Sequence, residues 1–191
     1  DKFVNYINAR DKTKLKYVGS HPMAGTEKKG VNNSYIEMLD DCMVLITPFE
    51  DTDIADIKRI QEFWSVYGAR TKVISVEEHD RWTAYTSHFP HLLAACLSDL
   101  VAGEFKNNNK KNENLKCAIA SSFKDMTRIS DSDSELWAEI IMMNADNIES
   151  IIKKFKNIVV DFENVLDTRD QEKIQEFFEK AKESRKILTE V

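Results

Sequence analysis

Glycine and cysteine are scarce in this chain of 191 residues, and neither is arranged in a recognisable motif. The five glycines (Gly19, Gly25, Gly30, Gly68 and Gly103) make no G-x-G-x-x-G. The tight turn that seats a dinucleotide pyrophosphate on a helix N-terminus is therefore missing from the sequence. The three cysteines (Cys42, Cys96 and Cys117) form no C-x-x-C and cannot all pair among themselves, which reads as reduced thiols in a cytoplasmic protein. A basic face is missing too. The net charge is -6 and Lys and Arg are scattered, which argues against a nucleic-acid groove. The longest purely apolar stretch, around Leu92–Leu97, is far too short to span a bilayer, and the opening DKFVNYINAR is charged where a signal peptide is apolar. No membrane partner is implied.

What is present is an ordinary globular composition, 42% hydrophobic and 31% charged, in a chain long enough to bury a core. The first part mixes strand and helix signals. Leu15–Gly19, Cys42–Thr47 and Thr71–Val76 are short, apolar or β-branched, and bounded by turn residues or Pro48. Between the last two, Thr52 stands where an N-cap belongs and Gly68 where a C-cap belongs. Ile54, Ile57, Ile60 and Trp64 give that helix one apolar face. Strand, helix and strand of this size predict an α/β unit with parallel strands. Three strands make a thin sheet, expected to extend a larger one.

From Glu77 onward no strand signal survives. Residues 77–103 are expected to be helical, with Pro90 kinking or dividing the stretch because it lacks an amide donor. KNNNKKNEN (106–114) is polar and aperiodic and reads as a solvated loop. Ser132 and Glu135 then form an S-x-x-E capping box before Leu136. Ile141, Ala145, Ile148, Ile152, Phe155, Val159, Phe162 and Leu166 follow at spacings of four and three. Leu136, Ile140, Met143, Ile151, Ile158 and Val165 make a second stripe. One helix from Glu135 to Leu166 would run roughly 50 Å at the α-helical rise, and a second copy of the chain is the expected cover for its two stripes. Ile174, Phe177, Phe178, Ala181 and Leu188 predict a last helix packed on one side. The expected fold is thus mainly α. Residues 1–76 form a small α/β segment, the remnant of a Rossmann-type sheet, and 77–191 an all-helical dimerisation domain.

The chemistry-bearing residues fall in three places. His21 lies in VGSHPMAGTEKKG; His79, His88 and His91 lie in EEHDRWTAYTSHFPH; Lys124, Asp125 and Arg128 lie in SSFKDMTR. Each has a plain structural reading. His88 and His91 are three apart and could share a zinc ion, but no further pair completes four ligands, and no metal is expected. A Ser-His-Asp set lacks its G-x-S-x-G elbow. Arg128 with Asp125 has the makings of a surface ion pair, and Trp137 those of a core residue. An Arg held in place also fits a carboxylate or phosphate, because its planar fork matches two oxygens.

Taken together, VGSHPMAGTEKKG after a strand, SHFPH about seventy residues on, and FKDMTRI before a long helix resemble the prephenate/arogenate dehydrogenase family. The resemblance runs over nearly the whole chain and is weakest over 103–120 and after 165. It implies oxidative decarboxylation of prephenate to 4-hydroxyphenylpyruvate, a precursor of tyrosine, with NAD or NADP as hydride acceptor. It also implies a homodimer and, in some members, inhibition by tyrosine. His21 matches the family's base at the substrate hydroxyl, and Arg128 its carboxylate-binding arginine. His91 and Ser87 match pocket positions, and Trp137 a tryptophan near the substrate side chain. Glu27 and Lys124 match a pair that gates access.

The sequence departs from the family pattern at Ser121 and Ser122, where many members carry glycines, and in its missing glycine turn. A chain that holds only the end of the nucleotide-binding domain is the expected reason, in which case it is inactive by itself. The alternatives are a free-standing helical ligand-binding or regulatory module, and an arogenate dehydrogenase.

Overall fold

A computed structural model describes residues 16–25, 35–107 and 113–190. The chain divides into two compact units at Asn144.

The first unit contains a three-stranded sheet in the order β1 (Gly19–Pro22), β2 (Met43–Thr47), β3 (Arg70–Val73). β2 and β3 are parallel and joined through helix α1 (Ile54–Val66), as the strand–helix–strand pattern predicts. β1 runs antiparallel to β2, with His21 opposite Leu45. Val44 and Ile46 are fully buried and, with Ala69, form a core onto which Cys42, Ile57, Ile60 and Trp64 pack. The apolar face of α1 is thus the one its spacing indicates, and Cys42 is a packing residue.

Three boundaries differ from expectation for local reasons. The first strand begins at Gly19 instead of ending there, with Gly19 paired to Thr47, where a side chain at Gly19 would collide with Thr47 Oγ1. His21 consequently sits within the strand, its backbone fixed by sheet pairing. Asp53, and not Thr52, caps α1 by accepting from the Ala55 amide at 2.9 Å, while Thr52 Oγ1 accepts from Phe49 N and closes the preceding turn. β3 stops at Val73 because Ser75 and Glu78 form a capping box that starts helix α2 (Val76–Thr83). Gly68 adopts φ +76° after α1, the left-handed turn expected of a glycine there.

α2 continues through a π-helical turn (Ala84–His88) into α3 (Phe89–Asn107). Pro90 neither breaks nor ends this run. The wide turn just before it, closed by Phe89 N on the Ala84 carbonyl, accommodates the missing donor. Lys106 and Asn107 complete α3, and Glu113 and Asn114 open α4 (Glu113–Ala118), so the loop expected at 106–114 is shorter at both ends. Its centre, 108–112, lies outside the described residues. Helix α5 (Ser121–Thr127) and a 3-10 turn (Arg128–Asp131) lead into α6 (Ser134–Met143). Here Asp133 accepts from Leu136 N and is the cap; the hydroxyl of Ser132 is engaged with the Ile129 carbonyl, so the expected Ser132–Glu135 box does not form.

The single helix expected from Glu135 to Leu166 is interrupted at Asn144, whose backbone is non-helical (φ -122°, ψ 28°). The Asn144 side chain is buried and donates to the Asp80 carbonyl at 2.7 Å. The second unit holds α7 (Ala145–Asp167) and α8 (Gln171–Thr189), joined by a turn in which Asp170 caps α8. Phe162 of α7 packs on Phe177 of α8, with ring centroids 4.8 Å apart.

Candidate active site

The first unit carries a cavity of about 410 Å³, a volume typical of small-molecule sites. His21 and the segment Pro22–Gly25 form one side of it. Ser87 and His91 come from the π turn and the start of α3, Arg128 from the 3-10 turn, and Trp137 and Ile140 from α6. The catalytic and substrate-binding residues expected from the sequence (His21, Ser87, His91, Arg128 and Trp137) therefore line one cavity, although they span more than half the chain. Lys124 lies instead on a second, more apolar cavity of about 720 Å³, which it shares with Arg128. Glu27, its expected gating partner, lies outside the described residues.

The polar groups behind the cavity are strongly constrained. His91 Nδ1 donates to the Ser87 carbonyl at 2.9 Å. His21 Nδ1 lies 2.9 Å from His79 Nε2, and His79 Nδ1 lies 2.9 Å from Asp80 Oδ1. Asn144 Nδ2 is 3.2 Å from His88 Nδ1. Because the same nitrogen donates to the Asp80 carbonyl, Asn144 presents an N–H to His88, whose Nδ1 must accept. His88 is held below the usual 6.5, first by burial and then by the nearby His79, with Asp80 acting in the opposite sense. His21 is exposed as a residue, yet loss of solvent around its ring lowers its pKa, with His79 the second cause. Both shifts favour neutral rings. Among the described residues, no three His, Cys, Asp or Glu side chains are grouped to hold a metal ion.

His79, Asp80 and Asn144 are the residues that sequence reasoning did not assign. The adjacent His79–Asp80 pair was visible as a motif, but its approach to His21, 58 residues away, is a tertiary fact. Asn144 shares its apolar stretch with three further asparagines (Asn147, Asn157 and Asn164), so nothing local marked it as a break.

The N-terminus of α1, the helix that crosses between parallel strands, is closed by its own Asp53 and carries Asp56 in its first turn, both unfavourable to phosphate. No helix of the described residues is long and apolar enough to cross a membrane.

Comparison with known proteins agrees with this geometry. Residues 75–180 match the family model described as "Prephenate dehydrogenase, dimerization domain", and residues 2–73 match "Prephenate dehydrogenase, nucleotide-binding domain". The chain is 32% identical over 171 residues to a cyclohexadienyl dehydrogenase of Zymomonas mobilis, covering 90% of this chain and 57% of that protein. It is 28% identical to a prephenate dehydrogenase of Lactococcus lactis, covering 92% and 47%. Among solved structures, prephenate dehydrogenase from A. aeolicus in complex with hydroxyphenyl propionate and NAD+ superposes with a TM-score of 0.79 at 30% identity, over 90% of this chain and 58% of that one. The chain spans about half the length of the curated relatives it matches. With both family models matched in sequence and the site residues gathered at one cavity, the chain belongs to the prephenate dehydrogenase family.

Proposed function

We propose that the complete protein oxidatively decarboxylates prephenate to 4-hydroxyphenylpyruvate, in tyrosine biosynthesis, and that this chain supplies the substrate site. The observation that carries the reading is the convergence of His21, Ser87, His91, Arg128 and Trp137 on one cavity. The substrate has a hydroxyl on its ring and two carboxylates, so it requires a base, a cationic anchor and a flat wall. His21, neutral by virtue of its lowered pKa, accepts the hydroxyl proton as the carbinol carbon is oxidised. Arg128 holds a carboxylate by its fork, and the Ser87 hydroxyl offers a further polar contact. His91 and Trp137 enclose the ring. Hydroxyphenyl propionate, the ligand of the A. aeolicus enzyme, has the same pairing of an oxygenated ring with a carboxylate side chain.

The nicotinamide cofactor, NAD or NADP, supplies the hydride acceptor when bound. We assign its pyrophosphate to the part of the complete protein that this chain does not contain, so the chain alone is expected to be inactive. Lys124, with Glu27, is proposed to gate the approach to Arg128. The complete protein is proposed to act as a homodimer, with tyrosine, a related phenol carrying a carboxylate, as a competing ligand. Arogenate, which bears an amino group where prephenate has a keto group, is the second candidate substrate.

The test is turnover of prephenate and arogenate with each cofactor by the complete protein, the isolated chain and the His21→Asn variant. Loss of kcat by about 10²–10⁴ in that variant, with little change in substrate affinity, is expected for a lost acid–base group. Near-normal turnover would remove His21 from the mechanism.

A further inference from the structure

Accepting the proton of a hydroxyl requires more of a histidine than neutrality. The ring nitrogen facing the substrate must be the bare one, and in a neutral imidazole the partner of the other nitrogen decides which that is. His21 comes from a strand and meets its partner, His79, in helix α2. The two rings are tilted at 59° with centroids 5.2 Å apart, an arrangement for an in-plane hydrogen bond and not for stacking.

We propose that Asp80 and His79 act as a positioning relay that keeps the Nδ1 proton on His21 and leaves His21 Nε2 bare for the substrate. The chain of donors follows from Asp80. Its carboxylate can only accept, so the proton between it and His79 belongs to His79 Nδ1. A neutral His79 then has a lone pair at Nε2, and the 2.9 Å contact is satisfied only if His21 Nδ1 donates. His21 Nε2 has no proton left to carry. When the substrate proton arrives there, His21 becomes an imidazolium whose Nδ1–H still points at His79, and Asp80 stabilises the charge through the intervening ring. Neither His79 nor Asp80 lines the substrate cavity, so neither touches the reacting atoms.

Two further contacts hold the relay in place. The Thr83 hydroxyl, buried one turn on, donates to the His79 carbonyl at 2.8 Å, and Asn144 donates to the Asp80 carbonyl at 2.7 Å. That amide stands at the break between α6 and α7.

The opposite state is well defined. A doubly protonated His79 would donate from Nε2, His21 Nδ1 would accept, and the proton on His21 would sit on Nε2, where it blocks the base. The relay rests on the reading of His21 as the base for its kinetic consequence, but not for its protonation pattern. The complete protein, labelled with 15N-histidine, is therefore examined by NMR of the ring nitrogens at neutral pH. The expected result is a protonated Nδ1 and a bare Nε2 on His21. His79→Phe should abolish that preference and lower kcat about 10–100-fold, the range for losing the group that orients a functional histidine, with KM little changed. His79→Gln, whose amide oxygen can accept from Nδ1, should recover part of both. A parent His21 with its proton on Nε2, or a tautomer unmoved by His79→Phe, overturns the relay. If His21→Asn keeps full turnover while the tautomer behaves as stated, the base assignment fails and the relay stands as a structural device.

Discussion

The imidazole of His91 lies flat against the indole of Trp137, with ring centroids 3.7 Å apart and planes inclined by 22°. His91 belongs to α3 and Trp137 to α6, so the stack joins two helices that are far apart in sequence. His88 meets the same indole edge-on, at 6.0 Å and 79°. Since His91 is also tied through Nδ1 to the Ser87 carbonyl, it cannot turn away without losing a hydrogen bond. One wall of the cavity is thereby set by helix geometry, with no loop involved.

A double-mutant cycle on His91→Ala and Trp137→Ala should give a coupling of about 0.5–1.5 kcal/mol in denaturant unfolding, the worth of an aromatic pair beyond its buried area. Both single variants should also raise KM for prephenate in the complete enzyme. Strict additivity of the two substitutions would mean that the stack is incidental.

Arg128 is exposed in this chain, so its anchor role should show mainly in binding. Arg128→Ala is expected to weaken substrate binding by about 2 kcal/mol, the lower end for truncating one partner of a charge pair. Lysine should restore only part of it, because a point charge cannot reproduce the fork. Calorimetry that finds Arg128→Ala binding prephenate as tightly as the parent would make Arg128 a structural residue.

Much of this arrangement was legible in the sequence, because periodicity and short motifs report local structure. The apolar face of α1, the parallel β2–β3 pair and the positive φ of Gly68 all follow from spacing and turn chemistry. What escaped was set by competition between neighbours. Thr52 and Asp53 are both good caps, as are Ser132 and Asp133, and in each case a nearby carbonyl or amide takes the hydroxyl and leaves the carboxylate to the helix. The break at Asn144 was invisible because apolar spacing continues across it, while the partner of its side chain lies 64 residues back at Asp80. The residues that line the cavity were singled out through motif resemblance. The links from Asp80 to His79 and on to His21 were not, since the sequence alone does not tell which histidines meet.

The lowered pKa values of His21 and His88 carry a definite sign for stability. Between the ordinary 6.5 and the lower folded values, the unfolded chain binds protons that the folded protein refuses. Stability from these two rings is therefore whole above pH 6.5 and is lost as pH falls from there through the folded values. The groups facing them are His79, His91 and Asp80, and only Asp80 opposes the shift. Denaturant midpoints should fall between about pH 7.5 and about pH 5.5, and the fall should shrink in His88→Asn. In kinetics, the acid limb of kcat/KM should lie below 6.5, because burial of the His21 ring disfavours its charged form. An acid limb above 6.5 would contradict the burial of the His21 ring.

Phe162 is committed to the second unit itself, packed between α7 and α8 against Phe177 and Phe178. Phe162→Glu should therefore disrupt the helical hairpin, and its effect on association would be indirect. Ile158, Val159 and Val160 of α7 lie 51%, 42% and 50% exposed, and Phe178, Ile187 and Leu188 of α8 are more exposed still. Apolar surface of this extent on one short hairpin marks an interaction face, and the family model matched over 75–180 is a dimerization domain. The parent should be a dimer in light scattering. Ile158→Glu should give a monomer that keeps its helical circular dichroism, because that side chain has solvent to turn into when no partner is present. Phe162→Glu should lose helical signal or become insoluble. A parent that is monomeric at micromolar concentration, or an Ile158→Glu variant that still dimerises, would place the interface elsewhere and leave this face without a partner.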